Sequence, residues 1–596
     1  MITPLKKITV LCLARDRDAT VDALQKLGLL HVVPITPPTG EDLSETESQQ
    51  ARTRDAIEVV KLQSAPDGAT PIAPLSGRDA VKEILGLVKQ RDQLSNELKA
   101  LRSEATRIAP YGDFSPANLQ ALQARGINVS LVRVASKETV AFDEDAVRVD
   151  LSADGQTTWI AILRYGAINV KGGSREELPE QSLTSIRATI AELEQSIERA
   201  NAELSVLTAA QPALEAYQAE LEERVQFLSA RLGMGESERV AYLQGFCPAD
   251  ETPRIETAAR EQGWGLIVDD PLPEDSAPTL LRHPRWVKPI KAVLDVIKIL
   301  PGYHEADISS VFLIFFSVFF AMLIGDAGYG LIFLALTLFA RSKMKKAPAY
   351  PFAMLGLLSA CTVLWGTLTG NYFGVTEYSG PLSGFRVGWL AKDKNIMNLC
   401  FIIGAVHMTI AHTWRIIKLA PSRKALEQAG WICVIWSMYF YARMLVAEQA
   451  EPPFTLGLLI TGIVLIAAFM ITTLAELKAG WINLAMLPLS IVSSLVDVIS
   501  YIRLFAVGMA SLAVAESFNN MALGIGFGNV LTGFVSALVL FLGHALNIVL
   551  CGLAVLVHGV RLNTLEFSMH MGMEWAGTPF IPLKKRVAGT QSKSDA

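Results

Sequence analysis

The sequence carries little charge for its length. Asp, Glu, Lys and Arg make up 19% of its 596 residues, whereas 51% of the residues are hydrophobic. Soluble domains usually carry about a quarter charged residues, so this deficit indicates a membrane protein. The net charge of −5 lacks the basic surplus that is typical of nucleic-acid-binding chains, and we expect no nucleic-acid partner.

Several common site signatures are also missing from the sequence. The six cysteines are scattered without a CxxC pair, which excludes a disulfide framework and a zinc ribbon. Neither a GxxxxGK[ST] motif nor an HExxH motif is present, which excludes the usual phosphate-binding loop and the zincin site. We therefore expect neither a cofactor nor a metal.

The charged residues are concentrated in the first 300 residues, and no cleavable signal peptide opens the chain, so we expect this half to be a cytoplasmic domain. Strand–helix–strand patterns begin at Ile8 and again at Val240, and each predicts a small α+β unit. The expected parts are a distal α/β lobe at 1–75 and 110–172, coiled-coil arms at 79–108 and 176–232, and a second α/β lobe at 238–270.

The arms are predicted from Leu and Ile residues that recur at 3-4 spacing between Glu-rich flanks, a pattern typical of coiled coils. Two such tracts in one chain can fold back as an antiparallel pair. A plain helical bundle and a dimerising coiled coil remain open as alternatives. A rod of this kind carries no chemistry and fits a spacer, a lever or a strut.

The second half is a series of apolar tracts, most of which reach the roughly 20 residues that span a bilayer. They predict an eight-helix transmembrane domain at 301–575, with two long tilted helices at its end, and a cytoplasmic tail at 576–596. Between the first two tracts, glycines and Asp326 predict a tight hairpin in which Asp326 caps the second helix. The eight tracts are 309–325, 327–341, 351–370, 396–418, 426–446, 454–475, 485–519 and 530–568.

The loop charges support this number of spans, because cytoplasmic loops carry an excess of Lys and Arg. The loop after the third tract, which mixes both signs, is the exception. The bias predicts a multi-pass protein of the cell (inner) membrane with both termini in the cytoplasm. The basic clusters follow the second, fourth, sixth and eighth tracts, at Arg341–Lys346, Arg415–Lys424, Lys478 and Lys584–Arg586.

Between Lys478 and Arg561 only Asp497, Arg503 and Glu516 carry a formal charge. Ionisable groups inside a span are costly and indicate function. At 100° per residue, Asp497 and Glu516 lie about 120° and about 140° around the helix from Arg503, so neither can pair with it on its own helix. Arg503 therefore needs an acceptor on another helix or subunit. A proton carrier passing Arg503 would lose its proton, because a nearby cation favours the carboxylate.

The last tract carries a stripe of polar or small residues at 3-4 spacing, and such a stripe is rarely turned to lipid. Either it lines an ion path or it only locks the last two spans together by hydrogen bonds. His407 and His412 on the fourth tract favour packing roles over ligation. The stripe is His544, Asn547, Cys551, Ala554, His558 and Arg561. The candidates for lining half-channels are Asp497, Glu516, His544, Asn547, His558 and Glu566.

Five segments together resemble one family, the stator subunit of V/A-type rotary ATPases, which is called subunit I in bacteria and archaea and subunit a in eukaryotes. The likeness extends over the whole chain, from the first α/β lobe to the last span. The segments are SYIRLFAVGMAS around Arg503, VLVHGVRLNTLEF around Arg561, the hairpin LIGDAGYGLI, GNYFG at 370–374 and QGFCPA in the second lobe.

The resemblance implies a subunit without an enzyme activity of its own. Its membrane half would pack against a rotating ring of proteolipid subunits, with Arg503 matching the family's essential arginine, Arg561 the second arginine and His558 the nearby histidine. The soluble half would dock the peripheral stalks and the collar subunit of the central stalk, and so reach the ATPase head indirectly. The transported ion would be a proton or Na⁺.

The chain departs from the eukaryotic relatives at two places. Cys551 stands where they usually carry a glutamate, and Ser568-Met569-His570 replaces a Lys-Phe-Tyr-like run. Both departures favour a bacterial branch. A secondary transporter with a coiled-coil regulatory domain, which would predict internal repeats, and a membrane receptor with a large external domain are the alternatives.

Overall fold

The computed structural model of the chain describes residues 1–63, 75–135, 138, 140–345, 347–376, 384–470 and 474–585, with the backbone alone at 474–481 and 483. Some parts of the predictions therefore lie outside the described residues. They are segment 64–74 and residues 136, 137 and 139 of the predicted distal lobe, Lys346, residues 471–473 of the sixth predicted tract, the Lys478 side chain and the predicted tail from Arg586 onward.

The polar half contains short strands and amphipathic helices. Its strands are β1 (Leu5–Leu13), β2 (His31–Val33), β3 (Ile127–Ala135), β4 (Ala141–Phe142), β5 (Val147–Ala153), β6 (Thr157–Tyr165), β7 (Val170–Lys171), β8 (Ser174–Glu176), β9 (Gly235–Ser237), β10 (Val240–Pro248) and β11 (Gly265–Asp269). Its helices are α1 (Arg17–Leu27), α2 (Glu41–Leu62), α3 (Gly77–Ile108), α4 (Pro116–Ala124), α5 (Leu183–Val206), α6 (Gln211–Leu232), α7 (Thr252–Gln262) and α8 (Lys291–Ile297).

The first and last strands of this half form one antiparallel sheet in the order β11-β1-β10-β2, with β9 paired to β10. β1 pairs with β10 along its whole length, from Leu5 opposite Pro248 to Leu13 opposite Val240. Its inward side chains pack against α1 in a core that includes Ile8. We call this unit, β1, β2 and β9–β11 with α1 and α7, the proximal lobe.

The predicted division into lobes is therefore wrong. The prediction places residues 5–33 in the same lobe as 110–172, but they share a sheet with 235–269, and β3, β5, β6 and β8 form a separate four-stranded sheet. The alternating pattern of a strand shows which face is buried, but it does not identify a partner strand more than 200 residues away. The strands and helices of both patterns lie close to their predicted positions.

The helices between the two sheets form an arm. α3 and α5 run antiparallel, because Ile84 clusters with Leu204 at one end and Ile108 clusters with Leu183 at the other. α2, a helix that the sequence analysis did not predict, packs against α6. The predicted tract 176–232 is divided into α5 and α6 by a 3-10 turn, and Pro212 lies in the first turn of α6, where proline is tolerated.

The apolar half is a set of packed helices. Among the described residues, five helical stretches are long and apolar enough to cross a membrane, and Ser309–Ile324 and Thr455–Phe469 are shorter apolar helices. The chain is thus a multi-pass membrane protein. Its helices are α9 (Ser309–Ile324), α10 (Ala327–Lys343), α11 (Ala349–Thr369), α12 (Asp393–Leu419), α13 (Lys424–Ala447), α14 (Thr455–Phe469), α15 (Leu474–Ser500), α16 (Ile502–Ile525), α17 (Val530–Ala554) and α18 (Ser568–Met571), with π-helical turns at Val555–Gly559 and Leu562–Phe567.

The hairpin between α9 and α10 confirms the predicted role of Asp326. One carboxylate oxygen accepts hydrogen bonds from the backbone N–H groups of Gly328 at 2.7 Å and Tyr329 at 3.2 Å. The other accepts from the N–H of Gly374 at 2.9 Å, which ties the hairpin to the segment after α11. Asp326 is buried, and its charge is compensated by these backbone donors.

The segment after the last membrane helix returns to the proximal lobe. The Leu583 N–H donates to the carbonyl of Leu30 at 2.8 Å, and the Lys585 N–H donates to that of Gln25 at 2.9 Å. The Phe580 ring packs against Leu5 in a small apolar cluster. We call residues 578–585 the C-terminal strap. The prediction of a plain tail from 576 is therefore wrong for this segment, because apolar residues within it contribute to a folded core.

Truncating one strap residue should destabilise the proximal lobe. Leu583 is 4% exposed and belongs to the main core of that lobe, and replacing a buried leucine with alanine typically costs about 2–5 kcal/mol. We expect Leu583→Ala to lower the free energy of unfolding of the lobe by about 2–3 kcal/mol, read as faster proteolysis of the soluble half in the full chain. Ile581→Ala, at a residue that is 52% exposed, is the matched control, and equal sensitivity of both variants would contradict this account of the strap.

The cysteine of the QGFCPA motif belongs to this same core. Cys247 is fully buried, and burial raises the pKa of its thiol to about 12. A thiol that stays protonated at neutral pH is a poor nucleophile and a poor metal ligand. Cys247 is therefore a packing residue.

Candidate functional site

The centre of the site is an ion pair between two helical segments of the membrane half. Nη2 of Arg503, at the start of α16, contacts Oε1 of Glu566 in the second π-helical turn. Nε of Arg503 donates to the backbone carbonyl of Ser500 at 2.8 Å, and the Ser500 hydroxyl donates to the same Glu566 oxygen at 3.3 Å. Arg503 thus has the off-helix acceptor that the sequence predicts.

The second predicted arginine shares this carboxylate. Nε of Arg561 lies 3.5 Å from Oε1 of Glu566, and the side chain of Arg561 is 54% exposed against 20% for Arg503. Arg561 and Glu566 are five residues apart, a spacing that an α-helix would place on different faces. The π-helical turns hydrogen-bond from residue i to i+5 and bring the two side chains to one face. Two cations therefore flank one carboxylate that is 5% exposed.

On one side of this centre lies a chain of hydrogen bonds that we call the Asp497 cluster. Oδ2 of Asp497, on α15, lies 3.2 Å from Nε2 of His570. Nδ1 of His570 lies 3.0 Å from Nε2 of His412, and Nδ1 of His412 lies 2.8 Å from Oε1 of Gln428. The cluster joins α12, α13, α15 and α18, and Nη1 of Arg415 donates to the His570 carbonyl at 3.3 Å.

On the other side, Glu516 lines a cleft of about 220 Å³. Asp393 and Arg386, which lie in sequence between the third and fourth predicted spans, line the same cleft, as does Asn371. The lining reaches back along α16 as far as Leu504, next to Arg503. The cleft therefore extends along α16 from the neighbourhood of the central arginine to Glu516.

A second set of polar side chains, which we call the Tyr329 cluster, connects α10, α16 and α17. The Tyr329 hydroxyl lies 2.7 Å from Nδ1 of His544 and accepts from the Asn547 amide at 3.1 Å. The amide of Asn547 also donates to the Ser511 carbonyl at 2.9 Å, and the Cys551 thiol donates to the Ser511 hydroxyl at 3.1 Å. Nε2 of His544 lies 3.1 Å from the side-chain oxygen of Asn519.

The predicted stripe on the last span is therefore only partly one unit. His544, Asn547 and Cys551 meet in the Tyr329 cluster, whereas Arg561 lies beyond the first π-helical turn and belongs to the central ion pair. His558 lies within that turn, and its Nδ1 atom is buried without a hydrogen-bond partner among the described residues. The predicted stripe assumes an α-helix with 100° per residue, and a π-helical turn has a different angle per residue.

His407 is a packing residue, as predicted. Its ring stacks between Phe315 at 3.9 Å and Phe567 at 4.3 Å between ring centroids, and its Nδ1 lies 2.8 Å from the hydroxyl of Tyr501. His412 differs, because the Asp497 cluster includes it. The sequence analysis missed His570, Gln428 and Tyr329 as cluster members, since they lie on three other helical segments.

The partnership of Glu566 with Arg503 was also missed, although Glu566 was among the half-channel candidates. A signal was present: Glu566 is a formal charge within the last predicted span. It lies five residues after Arg561 on the same predicted span, and so it is a candidate carboxylate partner for Arg503.

The face of α16 beside Arg503 is exposed and lined by small side chains. Such a face lets a neighbouring helix approach closely. Its exposed members are Ala506, Ala510, Ala513 and Ser517.

Comparison with known proteins gives a consistent result. The chain is 30% identical to "V-type ATP synthase subunit I 1" of Treponema pallidum, over 98% of this chain and 100% of that protein. It is 28% identical to "V-type ATP synthase subunit I" of Borreliella burgdorferi, again over 98% and 100%. "A-type ATP synthase subunit I" of Methanocaldococcus jannaschii is 25% identical over 59% of this chain and 56% of its own length.

Among solved structures, the chain is similar to the crystal structure of the cytoplasmic N-terminal domain of subunit I, a homologue of subunit a of V-ATPase. That match has a TM-score of 0.20 and 15% identity, and covers 44% of this chain and 99% of the other. No protein-family model matches the chain.

Proposed function

The chain belongs to the family of V-type ATP synthase subunit I, a non-catalytic membrane subunit of rotary ATPases, and on this premise we propose that it is the stator that provides the ion half-channels beside the rotating proteolipid ring. The observation that carries the proposal is the position of Arg503. It lies between the Asp497 cluster and the Glu516 cleft, and its counter-charge is Glu566 on a neighbouring segment.

The proposed chemical step is ion release from a carboxylate of the ring. As that carboxylate rotates towards Arg503, the fixed positive charge favours its ionised form, and the bound ion leaves. Arg503 cannot lose its own proton to avoid the encounter. Glu566 holds the guanidinium in place between encounters, and Ser500 accepts its Nε hydrogen.

Two separate access paths would let ions reach the ring on either side of Arg503. The Asp497 cluster would serve the cytoplasmic side, and the Glu516 cleft would serve the opposite side. These sides follow from the orientation that the basic loops predict. The arginine between them repels cations and so prevents a direct leak. We assign His544, Asn547 and His558 to the second path. His544 and Asn547 belong to the Tyr329 cluster, which would border this path.

The exposed small-residue face of α16 is the proposed contact with the ring. Without a hydrophobic driving force between helices in lipid, close packing of small side chains favours association. This face lies on the helix that carries Arg503, so a ring helix seated there would bring its carboxylate near the guanidinium.

The soluble half would act as the strut of the stator. The helical arm would dock the peripheral stalks and the collar subunit of the central stalk, and so reach the ATPase head indirectly. The proximal lobe would pass the load to the membrane half. Two connections support that transfer. The chain of the lobe continues into α9 through residues 270–308, and the C-terminal strap, which follows the last membrane helix, is bound to the lobe by hydrogen bonds and apolar contacts.

Purification under native conditions tests the proposal. A tagged chain should co-isolate with a proteolipid ring and an ATPase head. When the membrane part of the complex is dissociated, both partners should disappear from the preparation together. A secondary transporter or a receptor would be isolated without either partner, and that result would contradict the stator role.

A further inference from the structure

The Asp497 cluster has a feature that the stator role does not explain. Its three hydrogen bonds join Asp497, His570, His412 and Gln428 in an unbranched line. His412 is 3% exposed and Gln428 1% exposed, while the side chains of His570 and Asp497 are 10% and 24% exposed. The line therefore starts in the protein interior and ends at a partly exposed carboxylate.

The direction of these hydrogen bonds fixes the positions of the protons. With the amide oxygen of Gln428 as acceptor, Nδ1 of His412 must carry a hydrogen, and Nε2 of a neutral His412 must accept. Nδ1 of His570 then donates to His412. Only Nε2 of His570 can be either a donor or an acceptor, and it lies 3.2 Å from Oδ2 of Asp497.

We propose that His570 and Asp497 form a proton-loading pair in this access path, that His412 and Gln428 are positioning residues for it, and that the coupling ion is a proton. This inference rests on the proposed stator function and adds the identity of the ion. In the transfer step, the bond between a proton and Oδ2 of Asp497 breaks and a bond to Nε2 of His570 forms. The carboxyl group becomes a carboxylate and the imidazole becomes an imidazolium, so the charge of the pair is conserved.

The pair is poorly suited to Na⁺. A hard cation requires several oxygen ligands, whereas the line between Asp497 and Gln428 consists of imidazole nitrogens. The amide oxygen of Gln428 is already used by His412. The guanidinium of Arg415, bonded to the His570 carbonyl, adds a positive charge beside the line. Protons can be handed between these groups, but a metal ion finds no coordination shell there.

The pair is also connected to the centre of the site. The Ser500 hydroxyl oxygen lies 2.8 Å from the carbonyl oxygen of Asp497 and 3.3 Å from Oε1 of Glu566, so its single hydrogen is within reach of both acceptors. Asp497 is six residues before Arg503, near the end of α15, and Arg503 is near the start of α16. The proton-loading pair is therefore close to the arginine without touching it, which is where a proton must wait before it meets the ring.

The test uses the complete complex in liposomes, with ATP-driven proton uptake followed by a pH-sensitive dye. Wild-type uptake should proceed at full rate in Na⁺-free buffer. His570→Ala should lower it at least about tenfold, because proton transfer by a positioned side chain typically contributes 10²–10⁴-fold, and added imidazole should restore it by occupying the space of the missing ring. His570→Gln fills that space, so it should be equally slow and should not respond to imidazole. His304→Gln, at an exposed histidine in the connection before α9, should behave as wild type.

Three results would overturn the proton-loading pair: Na⁺-dependent transport by the wild type, normal uptake by both His570 variants, or a defect in His570→Ala that imidazole leaves unchanged. The last result would show that His570 only joins helices. Co-isolation with the ring and the head is measured on the same preparations. If co-isolation persists while one of these results appears, the proton-loading pair is contradicted and the stator role stands. If the wild-type chain does not co-isolate with the ring and the head, both the pair and the stator role are contradicted.

Discussion

Arg503→Lys should abolish ATP-driven ion transport while the complex still assembles. Lysine keeps the positive charge but has a single ammonium group in place of the planar fork. Arg503 contacts Glu566 through Nη2 and the Ser500 carbonyl through Nε, and one ammonium cannot occupy both positions. The guanidinium is therefore expected to be needed for its geometry as well as for its charge. Transport is measured in liposomes with a pH-sensitive dye and with radioactive Na⁺, and assembly by co-isolation of the head.

Arg561→Ala is the comparison for that experiment and should leave a measurable rate. The Arg561 side chain is 54% exposed, and its Nε lies 3.5 Å from a carboxylate that Arg503 already holds. Normal transport by Arg503→Lys would remove the proposed role of this residue. Complete loss in Arg561→Ala would show that the two arginines are ranked in the wrong order.

Glu566→Gln should strongly destabilise the membrane half. It leaves the Arg503 guanidinium without its counter-charge, and removing one partner of a buried ion pair typically costs about 3–5 kcal/mol. We expect a value near the lower end, because a fifth of the Arg503 side chain remains exposed. The free energy of unfolding of the purified chain in lipid or detergent measures the effect.

A double-mutant cycle separates the ion pair from other effects of these replacements. Arg503→Gln combined with Glu566→Gln should be less destabilising than the sum of the two, with a coupling energy of about 2 kcal/mol. Glu516→Gln is the matched control, since it removes a carboxylate from the same helix about 20 Å from Arg503, and it should combine additively with Arg503→Gln. Additivity of the Glu566 and Arg503 replacements would contradict the central ion pair.

The sequence predicts those parts of the structure that follow from local pattern. The Asp326 cap and the lack of a same-helix partner for Arg503 both follow from spacing along one helix, and the structure agrees with both. The apolar tracts predict several membrane-spanning helices, but the seventh tract, 485–519, is divided between α15 and α16. Within the soluble half, the strand from Ile8 and the helix Thr252–Gln262 are likewise local features. Hydrophobic period and turn chemistry act over a few residues, so one chain is enough to read them.

The remaining parts depend on which elements meet in space. β1 finds its partner in β10 across the whole arm, and the C-terminal strap reaches Leu30 from residue 583, although neither segment carries a local mark of its partner. The π-helical turns of the last span bring Arg561 and Glu566 together, because they change the angle per residue on which the helix pattern depends. The Asp497 cluster draws on four helices, and for this reason its members do not form a motif.

The most direct test of the ring-facing site is disulfide cross-linking in the assembled complex. Ala510→Cys lies on the exposed small-residue face of α16, whereas Val464→Cys lies on α14 at a residue that is 58% exposed. Each variant is combined with a cysteine on the carboxylate-bearing helix of the proteolipid and oxidised in the membrane. The account predicts a cross-link between the ring and position 510 and none with position 464. A cross-link at 464 together with none at 510 would contradict the placement of Arg503 at the ring.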